Sequence, residues 1–183
     1  MNTPTTTPKN IVLIGFMGCG KSTVGRELHK NLGYQLVDMD HIIEERAGKP
    51  ITKIFQQDGE TAFRDQESSL LRELCQPGNP RRIISTGGGI IGRHENRELL
   101  RNLGYVVWLN APRDTIIKRT LKHKTRPLLN TSDAADQITR LMAERHPLYA
   151  ETAHLEVDTT GLSSYEVASG LLDCARYYFN NPE

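Results

Sequence analysis

The sequence predicts a three-layer α/β fold in which a five-stranded parallel sheet lies between layers of helices. Three observations lead there. Short β-rich runs alternate with longer helical patterns along the chain. The runs Ile11-Val12-Leu13-Ile14 and Tyr105-Val106-Val107-Trp108-Leu109 are apolar on both faces, as buried parallel strands are. The residues with recognisable chemistry follow strands, and in such sheets ligands sit beyond the carboxyl ends of the strands.

In order, strands are expected at 10–14, 34–38, 83–86, 105–109 and 154–157. Helical patterns fall between and after them at 21–32, 41–47, 60–75, 93–102, 112–121, 134–151 and 165–179. No internal repeat, low-complexity stretch or long linker interrupts the series. A length of 183 residues suits one domain with a substantial core, expected over 10–183. Residues 1–9 are rich in Thr and Pro and have no apolar run, so they read as a disordered leader rather than a signal peptide. The stretch 122–133 is polar and irregular, as a mobile lid is.

Composition narrows the function. A formal net charge of +1 gives no reason to expect nucleic acid, an acidic partner or a membrane surface. No apolar run approaches the roughly 20 residues of a membrane span. The three cysteines, Cys19, Cys75 and Cys174, are far apart and form no CxxC pair, which fits a reducing, cytoplasmic setting. The six histidines show no metal-ligand spacing.

The strongest motif follows the first strand: Gly15-Phe16-Met17-Gly18-Cys19-Gly20-Lys21-Ser22, then Thr23. It matches G-x-x-x-x-G-K-S in the required context of strand, glycine-rich turn and helix, which makes it a P-loop. The glycines let backbone N–H groups turn inward around phosphates, and the helix that starts near Lys21 aims its positive end at the same anion. The Lys21 ammonium can reach the β- and γ-phosphates of ATP, and the Ser22 hydroxyl can ligate Mg²⁺. Cys19 lies near a helix N-terminus, where a thiolate is favoured. Either it is the most reactive of the three thiols, or it fills a variable position with its sulfur turned into packing.

A P-loop does not separate kinases from hydrolases or switches, so the other strand ends matter. The second strand ends in Asp38-Met39-Asp40. Strand alternation would bring Asp38 and Asp40 to one side, one for Mg²⁺ and one for an acceptor hydroxyl. Asp40 also stands where an N-cap is expected, and the two readings are compatible. The third strand runs into Thr86-Gly87-Gly88-Gly89, which marks either a close backbone approach or simply a tight turn. Arg64, Arg126 and Arg145 stand isolated along the rest of the chain, and a guanidinium forks onto a carboxylate or phosphate.

Taken together, these motifs resemble the shikimate kinase family. The resemblance runs from Gly15-Phe16-Met17-Gly18 and Gly20-Lys21-Ser22-Thr23-Val24-Gly25 through Asp38-Met39-Asp40, Asp58-Gly59-Glu60 with Phe63-Arg64, Thr86-Gly87-Gly88-Gly89 and Arg126-Pro127-Leu128-Leu129. It ends at Arg145 with Pro147-Leu148-Tyr149, so it spans about residues 10 to 160. It implies a P-loop kinase fold and ATP-dependent phosphorylation of the 3-hydroxyl of shikimate, by a chain expected to act as a monomer with Mg²⁺.

Position by position, the resemblance implies that Asp40, Arg64, Gly87, Gly88, Gly89 and Arg145 hold shikimate, the arginines on its carboxylate. Gly18, Cys19, Gly20, Lys21, Ser22, Thr23 and Arg126 would hold the phosphates, Arg119 would lie against adenine, and Ser22 with Asp38 would hold Mg²⁺. Lys21, Asp40 and Arg126 would be catalytic, and Phe55 and Phe63 would wall the acceptor pocket. Where some members carry an arginine near adenine after the last strand, this chain reads Asp158-Thr159-Thr160-Gly161-Leu162. Another small-acceptor kinase, for gluconate or a nucleoside monophosphate, is the alternative within the class, and a nucleotide-binding module without transfer activity is the alternative outside it.

Overall fold

The computed structural model describes residues 10–121 and 134–181. The expected leader at 1–9 and lid at 122–133, with Arg126, lie outside the described residues. The chain runs β1 (Asn10–Ile14), α1 (Lys21–Leu32), β2 (Gln35–Asp38), α2 (Met39–Ala47), α3 (Ile51–Gln57), α4 (Gly59–Leu74), β3 (Arg82–Ser85) and α5 (His94–Leu103). It continues through β4 (Gly104–Asn110), α6 (Arg113–Leu121), α7 (Ala134–Thr152), β5 (Leu155–Asp158) and α8 (Ser164–Asn180), with a 3-10 turn at Ile90–Gly92.

The five strands form one parallel sheet in the order β2-β3-β1-β4-β5. Central β1 sets Val12 opposite Ile84 on one side and Val106 on the other. Ile11, Val12, Leu13 and Ile14 are all buried, which is why this strand could not alternate. At the edge, β5 alternates half-buried with exposed positions. Burying one such apolar side chain stabilises by ~1.5–3 kcal/mol, so the sheet centre is the rigid floor of the molecule. Asn10 ties that floor together, donating to Leu103 O at 2.7 Å and accepting from Arg82 N at 2.9 Å.

The chain leaving β1 passes through α1 to β2 on one side, whereas β4 leads through α6 and α7 to β5 on the other. Neighbouring strands whose connections diverge leave a crevice beyond their carboxyl ends. Helix α3 is an element that the periodicity did not predict. It holds only seven residues, enters from Pro50 at φ −66, and fully buries only Ile54, too short a stripe to register. None of the helices among the described residues is long and apolar enough to cross a membrane.

Candidate active site

The phosphate loop occupies the crevice. Gly15 leaves β1 at φ +140, and a Cβ there would overlap the Leu109 carbonyl at the end of β4 and lie 2.9 Å from Cys19 Sγ. The loop closes with Cys19 N donating to Phe16 O at 3.3 Å, and Gly20 caps α1 at φ +105. The first turn of α1 carries neither an acidic residue nor a side-chain cap, so the positive end of its dipole is left for an anion. Lys21 Nζ spans the loop, donating to Gly15 O at 2.7 Å and Phe16 O at 3.0 Å. The cavity measures about 540 Å³ and is lined by Gly18 through Val24, Asp38, Asp40, Thr86, Gly88 and Arg119, with Thr159 and Leu162 from the turn after β5. Arg119 Nη1 donates to Gly18 O at 3.2 Å, so the expected adenine-side residue is fastened to the loop itself.

Ser22 and Asp38 are brought together: Ser22 Oγ donates to Asp38 Oδ2 at 2.9 Å. These are hard oxygen donors at the cavity wall, and no group of three or more His, Cys, Asp or Glu among the described residues forms a metal cage. That donor set fits Mg²⁺, which takes one or two protein oxygens and leaves the rest to water and phosphate. The geometry corrects the alternation argument, however. The strand ends at Asp38 and Met39 already begins α2, so Asp40 reaches the same cavity from the first helical turn. The N-cap is Asp38, which accepts from His41 N at 3.5 Å, and not Asp40.

The glycine turn is a close approach on three sides. A Cβ at Gly87 would lie 2.5 Å from Glu67 Oε1 and 2.8 Å from Asp40 Oδ1, and one at Gly89 would overlap the Arg64 guanidinium. At Gly88 a Cβ would stand 3.3 Å from Gly15 O and Met17 N, in the phosphate loop. Arg145 donates to Gly88 O at 3.2 Å, and Tyr149 donates to the same oxygen at 2.5 Å. Arg64 and Arg145 therefore approach one turn from opposite elements, α4 and α7. Arg64 lies over the rings of Phe55 and Phe63 at 5.9 and 5.3 Å, and Arg145 over Phe16 at 5.7 Å. Phe55 and Phe63 meet with centroids 5.0 Å apart.

Two residues of this constellation were not read as functional from the sequence. Tyr149, its phenol pushed up by burial, anchors the turn. Glu67 is 1% exposed and its Oε2 accepts from Arg64 Nη1 at 2.6 Å, while its Oε1 has no hydrogen-bond partner among the described residues. Burial raises the Glu67 carboxyl above its ordinary range, and the neighbouring Arg64 only partly offsets that. Burial also works against the Arg64 charge, but Glu67 and Glu60 outweigh it and hold the guanidinium firmly protonated. The available signal was that Glu67 shares the helix face of Phe63, Leu70, Leu71 and Leu74, where an unpaired acid has no place. Cys19 resolves to the second of its two readings: it is 1% exposed, with Sγ 3.7 Å from Lys21 Nζ, whereas Cys174 is the exposed thiol.

A parallel sheet with a glycine loop and lysine at its switch point, a serine–aspartate pair beside it and a glycine turn flanked by two arginines defines a P-loop phosphotransferase of small acceptors. The family model described as "Shikimate kinase" matches residues 17–176. A shikimate kinase of Thioalkalivibrio sulfidiphilus is 43% identical over 96% of this chain and 90% of its own length. One of Paracidovorax citrulli is 44% identical over 81% of each. Among solved structures, shikimate kinase from Acinetobacter baumannii in complex with shikimate is 38% identical, with a TM-score of 0.89 and 97% of each chain covered. A gluconokinase from Sinorhizobium meliloti, at 16% identity, a TM-score of 0.54 and covering 96% of this chain and 98% of its own, shares the fold alone. The chain belongs to the shikimate kinase family.

Proposed function

We infer that the chain transfers the γ-phosphoryl group of ATP to the 3-hydroxyl of shikimate, giving 3-phosphoshikimate and ADP. The observation that carries this reading is the Gly87-Gly88-Gly89 turn, which is shared between the phosphate loop and two arginines. Two guanidiniums at that turn suit a carboxylate-bearing acceptor rather than a neutral one. Gluconate also carries a carboxylate, and membership of the shikimate kinase family favours shikimate over it.

In this reading the chemistry is mainly positioning and charge neutralisation. Lys21, already aimed across the loop, neutralises the phosphates together with the N–H groups of Gly18 to Thr23 and with Arg126. Asp40 orients the acceptor hydroxyl and accepts its proton as the O–P bond forms. Arg64 and Arg145 hold the acceptor's carboxylate, and Phe55 and Phe63 wall its ring. Arg119, Thr159 and Leu162 flank the adenine. Ser22 and Asp38 would hold Mg²⁺, which when bound offsets charge on the β- and γ-phosphates. Cytoplasmic action belongs to the same reading and is supported by the three unpaired cysteines, which fit a reducing compartment; action as a monomer is part of the reading as well.

The test is a coupled ADP-release assay with shikimate, gluconate, AMP and CMP as acceptors. Turnover of shikimate well above the other three is expected. Equal or better turnover of gluconate or a nucleotide would replace the reading.

A further inference from the structure

The guanidinium of Arg64 is engaged on every edge. Nη1 donates to Glu67 Oε2 at 2.6 Å. Nε and Nη2 together donate to Glu60 Oε1 at 3.2 and 2.8 Å. The remaining end, between the two Nη atoms, abuts Gly89, where a Cβ would overlap both. The edge formed by Nε and Nη2 is a fork that suits a carboxylate, and a carboxylate of this chain already sits on it.

The two glutamates are not equivalent partners. Glu67 is 1% exposed, and without Arg64 it would be left as a buried, uncompensated charge. Glu60 is 54% exposed and lies in the first turn of α4, so it can turn out to water at little cost. An incoming carboxylate that takes the fork therefore displaces Glu60 and leaves Glu67 in place.

We propose that Glu60 is a resident carboxylate on the acceptor-carboxylate subsite of Arg64, displaced each time shikimate binds, and that it thereby sets the apparent affinity for the acceptor. This rests on the reading of Arg64 as an acceptor ligand. The exchange breaks one charge-assisted pair and forms another, so it discriminates by the acceptor's own charge. An acceptor with a carboxylate restores the pair that it breaks. A neutral acceptor cannot displace Glu60, and so leaves the pair intact and gains nothing from its removal. Glu60 also keeps Arg64 paired between turnovers.

If Glu60 instead served to hold Arg64 in a productive pose, its removal would weaken acceptor binding, so the two roles predict opposite signs. The experiment uses the full chain with Glu60→Gln and Glu60→Ala, with thermal melts to establish that each is folded. KM for shikimate, KM for ATP and kcat are measured separately, and shikimate methyl ester is run as substrate or competitive inhibitor. The expected result is a fall of about two- to fivefold in KM for shikimate in both variants, the scale of one exposed ion pair. KM for ATP and the constant for the ester should stay at their wild-type values. A shikimate KM that is unchanged or raised, or an ester constant that falls as much, overturns the inference. Failure of the functional reading appears separately, as a wild-type enzyme that does not turn over shikimate.

Discussion

Glu67 Oε1 and Gly87 lie so close that a methyl group on Gly87 would come within 2.5 Å of that oxygen and 2.8 Å of Asp40 Oδ1. Two acidic side chains from α4 and α2 thus converge on the bare backbone of the glycine turn. Gly87→Ala must push one of them aside, at an overpacking cost of about 1–3 kcal/mol. We expect a lower melting temperature and at least a tenfold loss in kcat/KM for shikimate, with nucleotide affinity retained. Wild-type shikimate kinetics in a folded Gly87→Ala enzyme would show that the turn does not shape the acceptor pocket.

Lys21→Met should remove a preorganised positive charge from the phosphates and lower kcat by about 10²–10³ with the circular dichroism spectrum unchanged. The ammonium's contacts to Gly15 O and Phe16 O are with the loop alone, so the sheet should tolerate the change. Retention of more than about a tenth of wild-type kcat/KM, one decade of rate, would remove Lys21 from the chemistry.

Arg64→Ala and Arg145→Ala should each reduce shikimate use selectively. Truncating one partner of a buried charge pair costs on the order of 2–5 kcal/mol, a loss of about thirtyfold or more in kcat/KM. Arg145 also releases Gly88 O, yet Tyr149 keeps a hydrogen bond to it, so the phosphate loop should hold its shape. Isothermal titration with an ATP analogue, alongside shikimate kinetics, separates the two sites. A parallel fall in both would mean that the arginines serve the nucleotide.

Glu67 gives a pH dependence whose sign follows from its raised carboxyl. Its ionised form is disfavoured in the folded state, so the native protein binds more protons than the unfolded chain between the ordinary Glu value and the raised one. Stability from this group is therefore lost as pH rises through that window and is flat below it. The melting temperature of Glu67→Gln minus that of wild type should become more positive as pH increases through that window. A difference that does not vary with pH would contradict the burial argument.

The cysteines should label in the order of their exposure. Cys174 is exposed, Cys75 is half-buried with its thiol pushed up by burial, and Cys19 is buried within the phosphate loop. Iodoacetamide followed by peptide mapping should modify Cys174 first with activity retained. Early labelling at Cys19 would mean that the loop opens far more readily than its packing against Gly15 suggests.

Much of this architecture was legible in the chain. The strands declared themselves through two-sided apolar runs such as 105–109, and the phosphate loop through side-chain identities that backbone chemistry demands. Short-range cues failed where geometry depends on partners. Asp38 rather than Asp40 caps α2, because the strand hands over to the helix without an intervening turn. Helix α3 buries too little to show a period. Glu67 looks like any charged residue of a long helix until the fold encloses it against Arg64 and Gly87.

Gly88 stands between the phosphate loop and the arginine side of the turn, with its Cα against the loop and its carbonyl held by Arg145 and Tyr149. If the proposed assignment of the two sides holds, the spacing between donor and acceptor is set there by backbone rather than by side chains. On the proposed reading the outer acceptor wall comes from α3 and α4, with Phe55, Phe63 and Arg64, and is made of side chains rather than backbone. Retargeting such an enzyme would then be a matter of re-cutting one wall while the transfer distance stays built in.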